Sequence, residues 1–113
     1  MDRLTEHRQI LECLFRKYER LYNLQPRPGV ESFVILDQER GHYILMSLGW
    51  SEGRRVRRMV LYVRLRNGKI SVEEDWTEEG IATELLKAGV SKDDIVLAFH
   101  PPEMWPLSEF AVA

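Results

Sequence analysis

An Asn67-Gly68 pair flanked by alternating apolar runs constrains the fold of this chain more than any other feature. Two-residue turns of this chemistry take positive φ at both positions and match the twist of a hairpin, so residues 54–76 read as two antiparallel strands. Alternation before the turn puts Met59, Leu61, Val63 and Leu65 on one face, and the turn sets Leu65 across from Ile70 and Val63 across from Val72. The other face carries Arg58, Arg64 and Arg66 against Ser71, Glu73 and Lys69, with Tyr62 opposite Glu73, a charged row that suits solvent. A sheet apolar on one side follows, and the rest of the chain has that side to pack on.

Two more strands precede the hairpin. Residues 32–36 hold Phe33, Val34 and Ile35, and residues 42–50 alternate between Ile44, Met46, Leu48 and Trp50 on one face and Tyr43, Leu45, Ser47 and Gly49 on the other. A two-residue turn at Glu52-Gly53 pairs Met46 with Met59 and Ile44 with Leu61, which sends the Ile44 set into the core. A three-residue loop would place them on opposite faces. The even loop is the expectation, and it also sets Trp50 across from Arg55, a cation over an indole contributing about 0.5–1 kcal/mol.

Helices flank the strands. Asp2 is an N-cap candidate, and Leu4, Leu11, Leu14, Phe15, Tyr18, Leu21 and Tyr22 recur at the spacing of one helical face, with Glu12 four residues before Arg16 on the wet side. Pro26 pushes Gln25 out of the helical region, so this helix is expected to stop near Asn23. Thr77 is the expected N-cap of a second helix of about three turns, with Glu78 and Glu79 in its first turn and Ile81, Leu85 and Ala88 as its apolar stripe. Gly89 supplies a left-handed stop, and Val90 beyond it folds back on Leu85. Residues 95–99 form a short apolar strand ended by His100-Pro101-Pro102, and an extended tail carries Met104, Trp105, Leu107 and Phe110. The fold class is α+β: an antiparallel meander of four strands, an N-terminal helix packed on it, then a second helix and a further short strand at either edge. That last strand, apolar throughout, fits a covered place, with a homo-oligomer as one way to cover it.

Composition excludes several classes. A chain of 113 residues is one domain on size grounds, and the single Cys13, placed on a helix as inert filler, rules out an internal disulfide. Sixteen Lys and Arg against 18 Asp and Glu leave a formal charge of -2, too little for a global nucleic-acid field. His7, His42 and His100 have unrelated neighbours without zinc-site spacing, and neither metal nor cofactor is expected. Neither an apolar signal core nor a membrane-length apolar run occurs, so a cytoplasmic, membrane-free protein is expected.

Two constellations carry chemistry. Glu73-Glu74-Asp75 and Glu78-Glu79 cluster at a strand–helix junction, and Asp75, Glu78 and His100 together would make a small enzyme or a metal seat. No nucleophile, phosphate loop or two-His spacing accompanies them, and a capped helix end explains them as well. Arg54, Arg55, Arg57 and Arg58, continued by Arg64 and Arg66, would grip phosphates on a two-stranded ribbon. The same arginines also describe a charged hairpin that resists aggregation. Prolines in His100-Pro101-Pro102 followed by Trp105 and Phe110 make the tail a docking candidate, or else a segment that packs on its own sheet.

Several segments together are specific: Asp37-Gln38-Glu39-Arg40 with His42-Tyr43, Gly49-Trp50, Arg55-Val56, Asp75-Trp76-Thr77-Glu78-Glu79-Gly80-Ile81-Ala82, Lys92 through Pro102-Glu103, and the ending Phe110-Ala111-Val112-Ala113. On them the chain resembles, over residues 1–113 as a single domain, the XisI family, the fdxN-element excision controlling factors of cyanobacteria. The resemblance implies an accessory factor, not an enzyme, acting beside a site-specific recombinase and a companion factor, XisH, in programmed DNA excision during heterocyst differentiation. Slight net acidity, the missing active-site constellations and the tail with Trp105 and Phe110 point separately to dependence on a protein partner, with DNA contact weak or absent when the chain is alone. The resemblance supplies no catalytic residues, so Trp50, Asp75, Thr77, Glu78, His100, Pro101, Pro102, Trp105 and Phe110 enter as candidate partner or surface residues.

Overall fold

The structure, a computed structural model, describes residues 2–24 and 27–113. Helix α1 (Arg3–Leu24) leads into strands β1 (Val30–Asp37), β2 (His42–Ser51), β3 (Arg54–Arg66) and β4 (Lys69–Asp75), then helix α2 (Ile81–Lys87) and a short β5 (Ile95–Leu97). The sheet order is β1-β2-β3-β4-β5; the first four strands form the expected antiparallel meander, and β5 runs parallel to β4. The chain is thus α+β.

Local chemistry sets the ends of these elements. The Thr5 amide donates to Asp2 Oδ1 at 2.7 Å, so Asp2 caps α1 as expected. The expected effect of Pro26 on Gln25 lies outside the described residues. Both tight turns hold two residues at positive φ, Glu52 at 51° with Gly53 at 77° and Asn67 at 53° with Gly68 at 74°, the geometry that follows strand twist. Helix α2 closes as the sequence requires: the Val90 amide reaches Leu85 O and the Gly89 amide Leu86 O, both at 3.0 Å, while Gly89 takes φ 95°.

Its start is different. Helix α2 begins at Ile81, with Gly80 at the cap position and without a side-chain cap, so Thr77, Glu78 and Glu79 stand in the loop before it and the helix has seven residues. Asp75 displaces Thr77 as the organiser because it reaches both sides of the loop. Its Oδ1 accepts from the amide and hydroxyl of Thr77, and its Oδ2 accepts from the Ile81 amide at 2.7 Å. The Glu12–Arg16 pair is also replaced: Arg16 pairs with Glu19 at 3.5 Å, and Glu12 accepts from Gln38. Cys13 is an exposed free thiol, not filler.

The largest correction concerns which face of the sheet is buried. Met46 does pair with Met59, but β3 carries a bulge after Met59, so Leu45 pairs with Leu61 and Ile44 with Tyr62. A bulge inserts one residue, here Val60, and reverses the side-chain parity beyond it. The core therefore takes Tyr43, Leu45, Leu61, Val63 and Leu65 with Phe15 and Leu11 of α1, and the Ile44, Met46, Leu48 and Trp50 face lies on the other side. Phe15 and Tyr43 meet with ring centroids 5.9 Å apart. Leu65 faces Ile70 and Val63 faces Val72 as expected, whereas a second irregularity at Glu73 gives Tyr62 the partner Glu74.

Both edges of the sheet are occupied. On β1 the Val34 amide donates to Glu19 Oε2 at 3.0 Å and Ser32 O accepts from Asn23 Nδ2 at 3.0 Å, so α1 side chains satisfy backbone groups that would otherwise template another strand. On β5, Ala111 forms a parallel bridge to Val96. The tail is not extended: it forms a 3-10 helix over Pro102–Leu107, Trp105 Nε1 donates to His100 O at 3.0 Å, and Phe110 packs against the core.

Candidate functional site

The bulge at Val60 also builds a cleft. Beyond it the inner face of β3 continues through Arg58 and Val56, paired with Ser47 and Gly49. The Trp76 amide donates to Val60 O at 2.8 Å, which fastens the loop after β4 across this open end. Walls from Tyr18 and Tyr22 of α1, the bulged strand and the Asp75-organised loop enclose about 590 Å³. At the neighbouring end of β2, Gly49 lets β1 approach closely, since it has φ 152° and any Cβ there would stand 1.9 Å from Gly29 O.

Charges and rings alternate around this cleft. The Arg58 guanidinium lies 5.2 Å from the ring centroid of Trp76, an exposed indole whose Nε1 donates to Glu74. Lys17 pairs with Glu84 at 3.6 Å, and Glu79 pairs with Lys87 at 3.8 Å. Burial, followed by the Glu84 carboxylate, pushes the Tyr18 phenol up to about 12 against the pull of a Thr77 hydrogen bond. Burial also raises Tyr22, opposed by Arg58 and reinforced by Asp75 and Glu78. Both phenols therefore stay neutral donors across physiological pH, and an exposed indole braced by a cation offers a rigid anchor for a docking partner.

The candidate residues fall into four places. Thr77 and Glu78 line the cleft together with Arg58, and Asp75 lies beneath the loop with both carboxylate oxygens already accepting. Trp50 stands on the opposite face, 58 % exposed, with the Arg55 guanidinium 5.5 Å from its ring as expected. His100, Pro101 and Pro102 are exposed at the start of the tail, while Trp105 and Phe110 are half-buried. Among the described residues no three His, Cys, Asp or Glu side chains group as a metal site would require, so Asp75, Glu78 and His100 do not assemble one.

The arginines do not share one surface. The bulge leaves Arg58 paired with Ser47 on the helix-bearing face while Arg55, Arg57 and Arg64 pair with Trp50, Leu48 and His42 on the other, correcting the common row of Arg58, Arg64 and Arg66. Arg54 is at the turn and Arg66 at the far end opposite Lys69. Trp76, central to the cleft, was not a sequence candidate for partner contact. Its signal was a bulky indole in a polar loop of Asp, Thr and Glu, where nothing apolar surrounds it.

The fold and site thus define a small α+β protein with an aromatic, charge-lined cleft between its first helix, its sheet and the loop after β4. The profile of the XisI protein family matches residues 1–112, and the chain belongs to that family. It is similar to the crystal structure of an fdxN element excision controlling factor XisI from Anabaena variabilis, with 39% identity, a TM-score of 0.88, and coverage of 99% of this chain and 100% of that one. It is also similar to a XisI-like protein from Anabaena variabilis, with 31% identity, a TM-score of 0.91, and coverage of 97% and 99%. No curated protein matches at a significant level.

Proposed function

We propose that this chain is an accessory factor controlling a programmed site-specific DNA excision of the fdxN-element type, acting in the cytoplasm through protein contacts and without catalysis of its own. The observation that carries the reading is likeness over nearly the full length of both chains to a protein named as an excision controlling factor. The partners are a companion excision factor, XisH, and a site-specific recombinase, and the Trp76 cleft is the docking place for one of them. An exposed Trp held under Arg58 beside neutral Tyr18 and Tyr22 supports this, because Trp, Tyr and Arg dominate the energy of protein interfaces.

Co-purification of this chain with a co-expressed XisH and recombinase tests the reading. Capture of either one by the wild type, lost in Trp76→Ala at unchanged thermal stability, is the expected outcome. Equal capture by both chains removes the cleft from the proposal. The competing reading, DNA binding through the arginine hairpin, has weaker support because the bulge distributes its guanidinium groups over two faces. Tight DNA binding by the isolated chain that weakens steeply with salt would favour that reading instead.

A further inference from the structure

The meander is apolar on both faces, yet helices cover only one. Away from α1, Phe33, Met46 and Met59 form one cross-strand row, and Ile35, Ile44 and Tyr62 form the next. Ile35 is 48% exposed and the row beyond Leu48 ends in the exposed Trp50. An antiparallel sheet normally turns polar alternation toward water, so two adjacent apolar rows mark a face built for contact. Toward β4 and β5 this face is closed: Ser71, paired with Arg64, and Val96, paired with Ser71, are 3% and 0% exposed where the tail bridges at Ala111. Only the part over β1, β2 and β3 is open.

The charges bordering it identify the occupant. On one side of the apolar rows the register runs Glu31, Leu48, Arg57, and on the other side it runs Asp37, His42, Arg64. Both rows place an acid on β1 and an arginine on β3. Two copies packed face to face about a two-fold close to the direction of β2 set β1 of each over β3 of the other. Each acid then meets an arginine at both ends of the patch. A two-fold across the strands instead sets Glu31 over Asp37 and Arg57 over Arg64, with repulsion at every corner. The favoured axis also gives aligned sheets crossing at about 30°, a packing that β-sandwiches use. Edge-to-edge association is blocked because Glu19 and Asn23 occupy β1 backbone groups and Ala111 pairs with β5. We infer that this chain forms a two-fold homodimer through the open sheet face, with β1 of each copy over β3 of the other, Met46 near the axis and Glu31–Arg57 pairs at the rim.

Sedimentation equilibrium of the full chain tests this, with thermal unfolding of every variant alongside. Asp37 also holds Arg40, at 3.2 Å, so Glu31 with Arg57 is the cleaner pair to exchange. Met46→Glu opposes two carboxylates at the axis and is expected to leave a folded monomer. Glu31→Arg or Arg57→Glu alone is expected to weaken association by about tenfold or more, and the double variant to recover to within a few-fold of wild type. The charge exchange reads the pairing even if Met46→Glu disturbs folding. A wild-type chain that stays monomeric at hundreds of micromolar overturns the inference and leaves the face to a different protein. Tighter association in Glu31→Arg, or weakened single variants without recovery in the double, overturns the axis. This face lies opposite the Trp76 cleft, so the outcome is independent of partner capture there.

Discussion

Tyr18 ties the helix to the cleft, and its phenol is the residue with the largest consequence for stability against pH. Burial and Glu84 raise it from 10.0 to about 12, so the unfolded chain releases this proton first. The stability contributed by the neutral phenol is complete below about pH 10 and is lost as pH climbs to about 12, at no more than about 1.4 kcal/mol per pH unit for one group. Urea unfolding followed between about pH 9 and 12 should show this decline, and Tyr18→Phe should make it shallower by one proton. Tyr22 and Tyr43 are raised in the same direction, chiefly by burial, so a slope persists in the variant. At this scale the sequence was readable where one residue type answers one local need, as at Asp2, Asn67-Gly68 and Gly89. Asp75 was misread because its role spans a six-residue gap to Ile81, and a capping rule that looks three residues ahead selects Thr77 instead.

That gap makes Asp75 the side chain that ties the β4–α2 junction together, beside the backbone bond from the Trp76 amide to Val60 O. Asp75 accepts three hydrogen bonds from Thr77 and Ile81, while Gly80 at φ 86° turns the chain into the helix. Asp75→Ala leaves the Ile81 amide unpaired and frees the loop that carries Trp76, so a loss of about 2–3 kcal/mol is expected. Thr77→Ala, which removes one hydroxyl donor, should cost about 1 kcal/mol or less. Denaturant midpoints of the two variants measure the difference, and equal losses would make Thr77 the organiser after all. The bulges were hidden at this same scale. Met59, Val60 and Leu61 are consecutive apolar residues, so polarity does not report which one is the insertion, and Glu73-Glu74-Asp75 conceals the second irregularity in the same way. Pairing nearest each turn was legible because the turn fixes it, and parity was lost only beyond the inserted residue.

Across the whole molecule, the sheet has more apolar surface than two helices can cover, and the tail decides how much of it stays open. Residues beyond Pro102 hold the far edge through the Ala111 amide to Ile95 O at 2.8 Å and Lys69 Nζ to Val112 O at 2.7 Å, with Phe110 against the core. Sequence reasoning left this segment between docking and self-packing, because Trp and Phe in a polar tail serve either purpose and the long-range partners were unknown. The hydrogen bonds and the burial of Val96 favour self-packing. Deleting the residues after Pro102 removes the Ala111 bridge and the Phe110 contact and uncovers Val96, which at ordinary transfer energies costs about 2–4 kcal/mol. A truncated chain should therefore unfold at a lower temperature and become prone to aggregate along the bared β5 edge, as scanning calorimetry and light scattering would record. If it melts like the full chain and loses only the capture of XisH, the tail is instead a docking segment, and the cleft at Trp76 ceases to be the principal contact.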